Sequence, residues 1–212
     1  MPSAEGLDAV TVDAFGTLVE LREPYDRLGA ALAERGVERN RHEVAAAFAA
    51  EVEYYLPRAH EGRDGKSLAQ LRRDCAAVFL SGAAADLDPV EFAPAFVRAL
   101  EFNLLPGVEA ALERLRAAGL ILACVGNWDM SLSDYLSAIG LAPYFATVVS
   151  SAEAGAPKPD PRPFDLVLRR IGVTPERALH VGDSDADRDG ARRAGLAFEP
   201  APLATLPARL GL

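Results

Sequence analysis

The sequence predicts an α/β fold whose doubly wound parallel sheet is interrupted, just after its first strand, by an inserted helical subdomain. A short apolar run near the amino terminus has the length and composition of a buried strand. The long stretch that follows shows helical periodicity and contains no convincing strand signal. Beyond residue 105, helix and strand patterns alternate at intervals that require parallel crossover connections.

Local signals define the first strand and the inserted helices. Residues 8–14 are strand-like. Pro24 suits the first turn of the first helix, and Asp88 followed by Pro89 is typical of a helix start. The spacing predicts helices over residues 24–36, 42–56, 66–82 and 88–102.

The second half of the chain alternates between helices and strands. Glycines such as Gly119 and Gly140 end the predicted helices. Helices are predicted over 106–118, 129–140, 161–172 and 187–195, and strands over 120–126, 146–151, 177–183 and 196–200. We therefore expect a core made of residues 1–20 and 104–212, and a helical subdomain made of residues 21–103.

The amino-acid composition argues against some classes of binding partner and indicates a location. The net charge of −9 argues against nucleic acid or an anionic membrane as a partner, because both require clustered lysine and arginine. No apolar run approaches the roughly 20 residues of a membrane span, and the amino terminus has no signal-peptide pattern. The two cysteines, Cys75 and Cys124, lack metal-ligand spacing. We expect these cysteines to be reduced thiols in a cytoplasmic protein.

Chemically capable residues follow several of the predicted strands. Asp13 ends the first strand, Gly126 and Asn127 end the second strand of the core, and Asp183 ends the strand "HVG". Lys158 lies in the loop after "ATVVSS". Because ligands bind at the carboxyl ends of parallel strands, these residues are expected to converge on one edge of the sheet.

Each acidic or basic residue also has a purely structural interpretation. Asp129 and Asp160 are typical turn or N-cap residues, and Asp187 lies at a helix start, where a negative charge is favourable. Lys158 reads as an ordinary solvated lysine, except that flanking prolines stiffen its loop. Asp13 is harder to explain structurally, because an unpaired carboxylate at a dry strand end is costly.

Four motifs in order give the chain a resemblance to a known family. They are "DAFGTL", "VGNWD", "KPDPRPF" and "HVGDSDADRDGARRAG", each at a predicted strand end. Together they resemble the haloacid dehalogenase (HAD) superfamily, in particular the hydrolases of subfamily I, which carry a helical C1 cap. The resemblance covers nearly the whole chain. It implies a Rossmann-like core and a helical cap.

The resemblance also implies roles for particular residues. Asp13 would be the nucleophile and Lys158 would neutralise its charge, as carboxylate nucleophiles require. Thr17, with the backbone at Gly126 and Asn127, would help to bind and orient the substrate.

A magnesium ion is implied by the same resemblance. Mg²⁺ would be held by Asp13, the backbone carbonyl of Phe15 and Asp183, with Asp187 in support. The implied substrate is a small phosphate ester.

Three departures from the family pattern leave alternatives open. Phe15 stands where phosphatases of this superfamily carry a second aspartate, which protonates the leaving group. Gly126 replaces the usual hydroxyl residue of the second motif. Dehalogenases also lack the second aspartate, but they bind the substrate carboxylate with an arginine in the early part of the cap. In this chain, Ala49 lies near the position of that arginine.

A slow, Mg²⁺-dependent phosphatase is the leading hypothesis. The alternatives are a 2-haloacid dehalogenase, which needs no metal, and a catalytically impaired HAD fold that is used for binding.

Overall fold

The computed structural model describes residues 4–212. Its strands are β1 (Ala9–Val12), β2 (Val19–Leu21), β3 (Phe102–Leu104), β4 (Ile121–Gly126), β5 (Thr147–Ser150), β6 (Ala178–Gly182) and β7 (Ala197–Pro200). Its α-helices are α1 (Pro24–Ala33), α2 (Arg41–Tyr55), α3 (Gly65–Gly82), α4 (Pro89–Ala99), α5 (Val108–Ala117), α6 (Leu132–Ala138), α7 (Ser151–Ala154), α8 (Arg162–Ile171), α9 (Asp185–Arg193) and α10 (Leu206–Arg209). Among these described helices, none is both long and apolar enough to cross a membrane.

The principal sheet has five strands in the order β5-β4-β1-β6-β7. Every neighbouring pair in it is parallel. The chain builds outward from β1 in both directions, so that β4 lies on one side of β1 and β6 on the other. This arrangement confirms the predicted α/β fold with a doubly wound parallel sheet, whose order reverses at β1.

The central strands are apolar because helices cover both faces of a parallel sheet. All residues of β1 and β6 are buried, and β4 is buried from Leu122 onward. The register of β1 and β6 places Thr11 beside His180. These two polar side chains therefore lie inside the sheet layer, where each needs a hydrogen-bond partner.

The chain forms two compact units. One contains the residues up to Glu20 together with Leu104–Leu212, and it supplies every strand of the five-stranded sheet. The other, Leu21–Asn103, contains helices α1 to α4. Its core includes the stacked rings of Phe79 and Phe92, whose centroids are 6.0 Å apart. The helical unit thus has an apolar core of its own.

Side-chain caps begin three of the helices in the helical unit. Asn40 and Glu43 form a reciprocal capping box at the start of α2, and Asp64 and Ser67 form another at the start of α3. Asp88 accepts a hydrogen bond of 2.7 Å from the backbone N–H two residues later, so the predicted N-cap of α4 is confirmed. Caps of this kind are each worth about 1 kcal/mol of stability.

The structure corrects several element boundaries and adds short elements. The first strand ends at Val12 rather than residue 14, and α1 ends at Ala33 rather than residue 36. Strands β2 and β3, which pair with each other in a separate two-stranded sheet, were not predicted. Each has only three residues and is partly exposed, so neither shows a recognisable alternation of apolar and polar residues. The one-turn helices α7 and α10 are also too short for a helical period.

Glu51 gives the helical unit a pH-dependent stability. Its side chain is buried in α2, and burial raises its pKa to about 7, although a hydrogen bond with Cys75 opposes that rise. The folded state therefore favours the protonated carboxyl. Its stabilising contribution is complete below the unfolded-state pKa near 4.5 and is lost as the pH rises through 7. The loss amounts to about 3 kcal/mol of unfolding free energy.

We expect Glu51→Gln to remove this dependence. The variant should gain stability relative to the wild type between pH 5 and pH 8, as measured by urea unfolding at each pH. Glu53→Gln, at an exposed position on the same helix, is the matched control and should leave the pH profile unchanged. An identical pH profile for wild type and Glu51→Gln would contradict the prediction.

Candidate active site

The residues predicted to converge lie at one edge of the five-stranded sheet. Asp13 follows the central strand β1, Gly126 ends β4, and Asp183 follows β6. Since these strands are parallel neighbours, their carboxyl ends lie at the same edge. Lys158 reaches the same point from the loop between α7 and α8.

The ammonium group of Lys158 is the centre of this arrangement. Its Nζ lies 2.5 Å from Asp13 Oδ1, 2.5 Å from Asp187 Oδ1 and 2.8 Å from the backbone oxygen of Val125. Its three protons thus have three acceptors. Lys158 is only 4% exposed, which excludes the interpretation of it as a solvated loop residue.

Asn127 fixes the backbone that carries Lys158. The side-chain oxygen of Asn127 accepts a hydrogen bond of 2.7 Å from the Lys158 N–H, and its amide donates one of 3.1 Å to the Lys158 carbonyl. The sequence suggested Asn127 as part of a substrate-binding segment. Its side chain is bonded to the Lys158 loop, which it orients, and the role of its backbone in substrate binding stays a prediction.

Three carboxylates form an acidic cluster beside this lysine. One oxygen each from Asp13, Asp183 and Asp187 lies within 4.8 Å of the others. Two glycines make the close approach possible, because a Cβ at Gly16 would overlap the Asp183 carboxylate and one at Gly182 would overlap that of Asp187. Of the three carboxylates, Asp13 and Asp187 are buried and Asp183 is exposed.

Burial is the largest influence on the pKa values of this cluster, and the neighbouring charges and hydrogen bonds oppose it or add to it. Burial raises the pKa of Asp13 to about 7, although the Lys158 charge opposes the shift. Burial also acts on Asp187, but the hydrogen bond from His180 and the Lys158 charge hold its pKa well below the usual range. Partial desolvation of the carboxylate and the neighbouring Asp187 raise the pKa of Asp183. One ammonium cannot balance three carboxylates, and their hard oxygen donors therefore suit a divalent cation.

The other predicted site residues occupy different environments. Thr17 is 1% exposed, and within residues 4–212 its hydroxyl oxygen has no hydrogen-bond partner. The Phe15 side chain is 46% exposed. A Cβ at Gly126 would lie 3.0 Å from Leu132 Cδ2 and 3.3 Å from Ala14 Cβ. A side chain at this position would therefore require its neighbours to shift by a few tenths of an ångström.

Two residues of the site, Thr11 and His180, were not predicted. His180 Nε2 lies 3.0 Å from Asp187 Oδ1, and His180 Nδ1 lies 2.9 Å from Thr11 Oγ1. Burial lowers the pKa of His180 to about 4, so the imidazole is neutral near pH 7. The sequence signal that could have found this pair is a single polar residue inside each of the apolar strands "AVTV" and "ALHVG".

The two aspartates with a structural interpretation form turns. Asp129 Oδ1 accepts a hydrogen bond of 2.9 Å from the backbone of Ser131, and Asp160 Oδ1 accepts one of 2.9 Å from the backbone of Arg162. Their carboxylates stabilise the loops after β4 and before α8, as turn residues do.

Comparison with known proteins identifies the family. A profile of the haloacid dehalogenase-like hydrolases matches residues 7–195. The chain therefore belongs to the haloacid dehalogenase-like hydrolase family, as its motifs indicate.

Individual relatives show how far the likeness extends. Haloacid dehalogenase-like hydrolase domain-containing protein 3 of Bos taurus is 44% identical over 96 residues, which is 45% of this chain and 38% of that protein. A phosphoserine phosphatase of Thermus thermophilus is 43% identical over 109 residues, or 50% of this chain and 44% of that protein. The matched segments thus span less than half the length of these relatives.

A solved structure resembles most of the chain. The L-2-haloacid dehalogenase of Xanthobacter autotrophicus superposes with a TM-score of 0.68 at 26% identity, covering 91% of this chain and 76% of that one. Both phosphatases and dehalogenases are thus similar to this protein.

Proposed function

We propose that this chain is a metal-dependent phosphatase that uses Asp13 as its nucleophile. The observation that carries the proposal is the buried Asp13–Lys158 ion pair beside two further carboxylates, Asp183 and Asp187. A carboxylate held in place by a fixed ammonium is poised for nucleophilic attack. The similarity of half the chain to a phosphoserine phosphatase supports the same class.

The acidic cluster fits Mg²⁺, which prefers oxygen ligands. Asp13 and Asp183 would hold the ion together with the backbone carbonyl of Phe15, and Asp187 would support it. The fit rests on the proximity of the three carboxylates and on their uncompensated charge. When bound, Mg²⁺ supplies electrostatic stabilisation of the phosphoryl group during its transfer.

The covalent step belongs to Asp13. One of its carboxylate oxygens bonds to phosphorus while the bond to the leaving oxygen breaks, and the leaving group departs with that electron pair. Water then attacks the phosphorus of the aspartyl-phosphate, which releases inorganic phosphate and restores Asp13. Lys158 keeps the Asp13 carboxylate oriented and offsets its charge throughout.

The proposal also covers the two units of the chain, the substrate and the location. The helical unit, Leu21–Asn103, corresponds in this proposal to the family's cap, and the rest of the chain is the catalytic core. The substrate is a small phosphate ester. A cytoplasmic location is supported by Cys75 and Cys124, which are both buried thiols rather than a disulfide.

Phe15 predicts a preference among phosphate esters. Its hydrocarbon ring cannot protonate a leaving group or activate water, and such acid–base help is worth roughly 10²–10⁴-fold. A nitrophenolate leaves without a proton, whereas a sugar alkoxide does not. We therefore expect faster hydrolysis of aryl and acyl phosphates than of alkyl phosphates. Initial rates on p-nitrophenyl phosphate, acetyl phosphate and a sugar phosphate, with and without Mg²⁺, measure the preference.

The matched variants at this position are Phe15→Asp and Phe15→Asn. Both remove the half-exposed ring and have nearly the same size, but only aspartate can transfer a proton. Phe15→Asp should raise alkyl phosphatase activity by roughly 10-fold or more over Phe15→Asn. Equal gains in both variants would attribute the effect to lost bulk. If folded Phe15→Asp hydrolyses no phosphate ester better than the wild type with Mg²⁺ present, the phosphatase proposal loses its main support.

A 2-haloacid dehalogenase is the second candidate, and Phe15 is the observation that favours it. Halide leaves without a proton, so this reaction does not need the missing aspartate. The structural likeness to the Xanthobacter dehalogenase points the same way. Halide release from 2-haloacids in the presence of EDTA would favour this activity over the phosphatase. If Asp13 supports turnover of neither substrate class, a binding role becomes the better explanation.

A further inference from the structure

A continuous series of hydrogen bonds connects the interior of the sheet to the proposed nucleophile. Thr11 and His180 are paired across β1 and β6, with 2.9 Å between Thr11 Oγ1 and His180 Nδ1. His180 Nε2 lies 3.0 Å from Asp187 Oδ1, and that oxygen also accepts from Lys158 Nζ at 2.5 Å. Lys158 in turn donates to Asp13. Thr11, His180 and Asp187 are each at most 1% exposed.

The chemistry of these groups fixes the direction of each hydrogen bond. An ionised carboxylate only accepts, so His180 Nε2 must carry a proton. A neutral imidazole with a proton on Nε2 has a lone pair on Nδ1, which then accepts the Thr11 hydroxyl proton. The other acceptor near that hydroxyl, the Leu179 carbonyl oxygen, is farther away at 3.4 Å. Asp187 thereby selects the tautomer of His180, and the Thr11 hydroxyl donates to the remaining lone pair on Nδ1, which orients the ring.

Both oxygens of Asp187 are occupied in this arrangement. Oδ1 accepts from His180 and Lys158, while Oδ2 accepts from the Ser184 N–H at 3.2 Å and from the Ser184 hydroxyl. Without His180, Oδ1 would accept a hydrogen bond from Lys158 alone. The rigid imidazole therefore limits rotation of the carboxylate that orients the Lys158 ammonium.

We propose that Thr11 and His180 are positioning residues for the reaction: Thr11 orients the His180 ring through its hydrogen bond to Nδ1, and His180 orients Asp187 and through it Lys158. The effect on turnover rests on the proposed function, whereas the tautomer does not. Hydrogen-bond partners of the residues at a metal site, to which Asp187 belongs in the proposed function, are typically worth 10–100-fold in metal affinity or activity.

A packing role alone would explain the position of His180 differently. Its ring makes an edge contact with Phe164, with centroids 4.8 Å apart, and it lies 6.4 Å from the ring of Phe198. If His180 only fills this space, the identity of its protonated nitrogen does not matter. Two measurements therefore separate the explanations. They are the position of the proton on the His180 ring and the activity of variants that keep or remove each hydrogen bond.

Nuclear magnetic resonance of ¹⁵N-histidine-labelled protein tests the tautomer directly. The chain has three histidines, and of these His42 is exposed and His60 half-buried, so His180 should give the slowly exchanging ring N–H. We expect this proton on Nε2 and none on Nδ1, with the assignment made by its loss in His180→Gln. Thr11→Val should change the Nδ1 signal, and Thr11→Ser, which keeps the hydroxyl, should not.

Kinetics with the same variants test the consequence. Thr11→Val should lower kcat by about 10-fold with little change in KM. Thr11→Ser, which keeps the hydroxyl, should have a kcat close to that of the wild type. His180→Gln, whose amide nitrogen can replace Nε2, should retain more activity than His180→Leu.

Three results would overturn the inference. They are a proton on His180 Nδ1 in the wild type, equal kcat for Thr11→Val and Thr11→Ser in active protein, and equal loss in His180→Gln and His180→Leu. If the wild type hydrolyses no phosphate ester, the proposed function fails, and the spectrum alone decides the inference.

Discussion

Asp13→Asn is expected to reduce phosphate-ester turnover by roughly 10³-fold or more while the protein remains folded. Asparagine has nearly the same shape as aspartate but cannot attack phosphorus as a carboxylate. The folded state should tolerate the change, because burial already raises the pKa of Asp13 to about 7 and opposes its charge. Replacing it also removes one of three mutually repelling carboxylates. Initial rates and urea unfolding with and without Mg²⁺ measure both effects.

Asp129→Asn is the matched control for this experiment. Asp129 is as buried as Asp13, at 6% exposure, and it follows the neighbouring strand β4. Its Oδ1 accepts hydrogen bonds from the Ser131 backbone and hydroxyl, which an asparagine oxygen can also accept. Turnover should therefore survive in Asp129→Asn. Substantial turnover by Asp13→Asn, or an equal loss in both variants, would remove Asp13 from the role of nucleophile.

Much of the sheet and its edge could be predicted because parallel strands obey strict rules. A short apolar run that ends in a carboxylate identified Asp13, and the same pattern identified Asp183. Once both strands are assigned to one parallel sheet, their carboxyl ends must lie at one edge. The prolines around Lys158 marked its loop as stiff, and the structure places that lysine 2.5 Å from Asp13.

The supporting residues could not be predicted, because their partners are set by register. Thr11 and His180 are 169 positions apart, and only the pairing of β1 with β6 brings them together. Glu51 shows the same limit within a helix, since its sequence neighbours do not reveal that its carboxyl is buried near Cys75. Strands β2 and β3 depend on each other in the same way.

Gly126 shows why a departure from a family pattern needs the structure. From the sequence, glycine in the second motif looks like a lost hydroxyl. In the structure, a Cβ at Gly126 would pack tightly against Leu132 and Ala14, so a side chain there would require a small shift of these neighbours. Phe15 differs, because it is about half exposed, so that an aspartate there would contact solvent. Phe15 is therefore a more informative position for substitution than Gly126.

Lys158→Met is expected to affect both stability and catalysis. Methionine preserves the length of the side chain but removes the ammonium that Asp13 and Asp187 share. Removing one partner of a buried ion pair costs about 3–5 kcal/mol, because the remaining charges are left uncompensated. Turnover should fall by roughly 10²-fold or more, since the nucleophile loses its orienting donor. Urea unfolding and initial rates, both with Mg²⁺ present and absent, measure these losses.

The loss of stability in Lys158→Met should depend on pH in a defined direction. Without the lysine, burial and mutual repulsion raise the pKa values of the carboxyl groups above the unfolded-state value of 3.8. Their stabilising contribution is then complete at acidic pH and is lost as the pH rises, so the deficit relative to wild type should be larger at pH 8 than at pH 5. Lys66→Met, at an exposed position in α3, controls for the loss of one positive charge and should change neither quantity. A deficit that is the same at both pH values would show that Lys158 contributes packing rather than charge, and retained turnover would exclude it from the site.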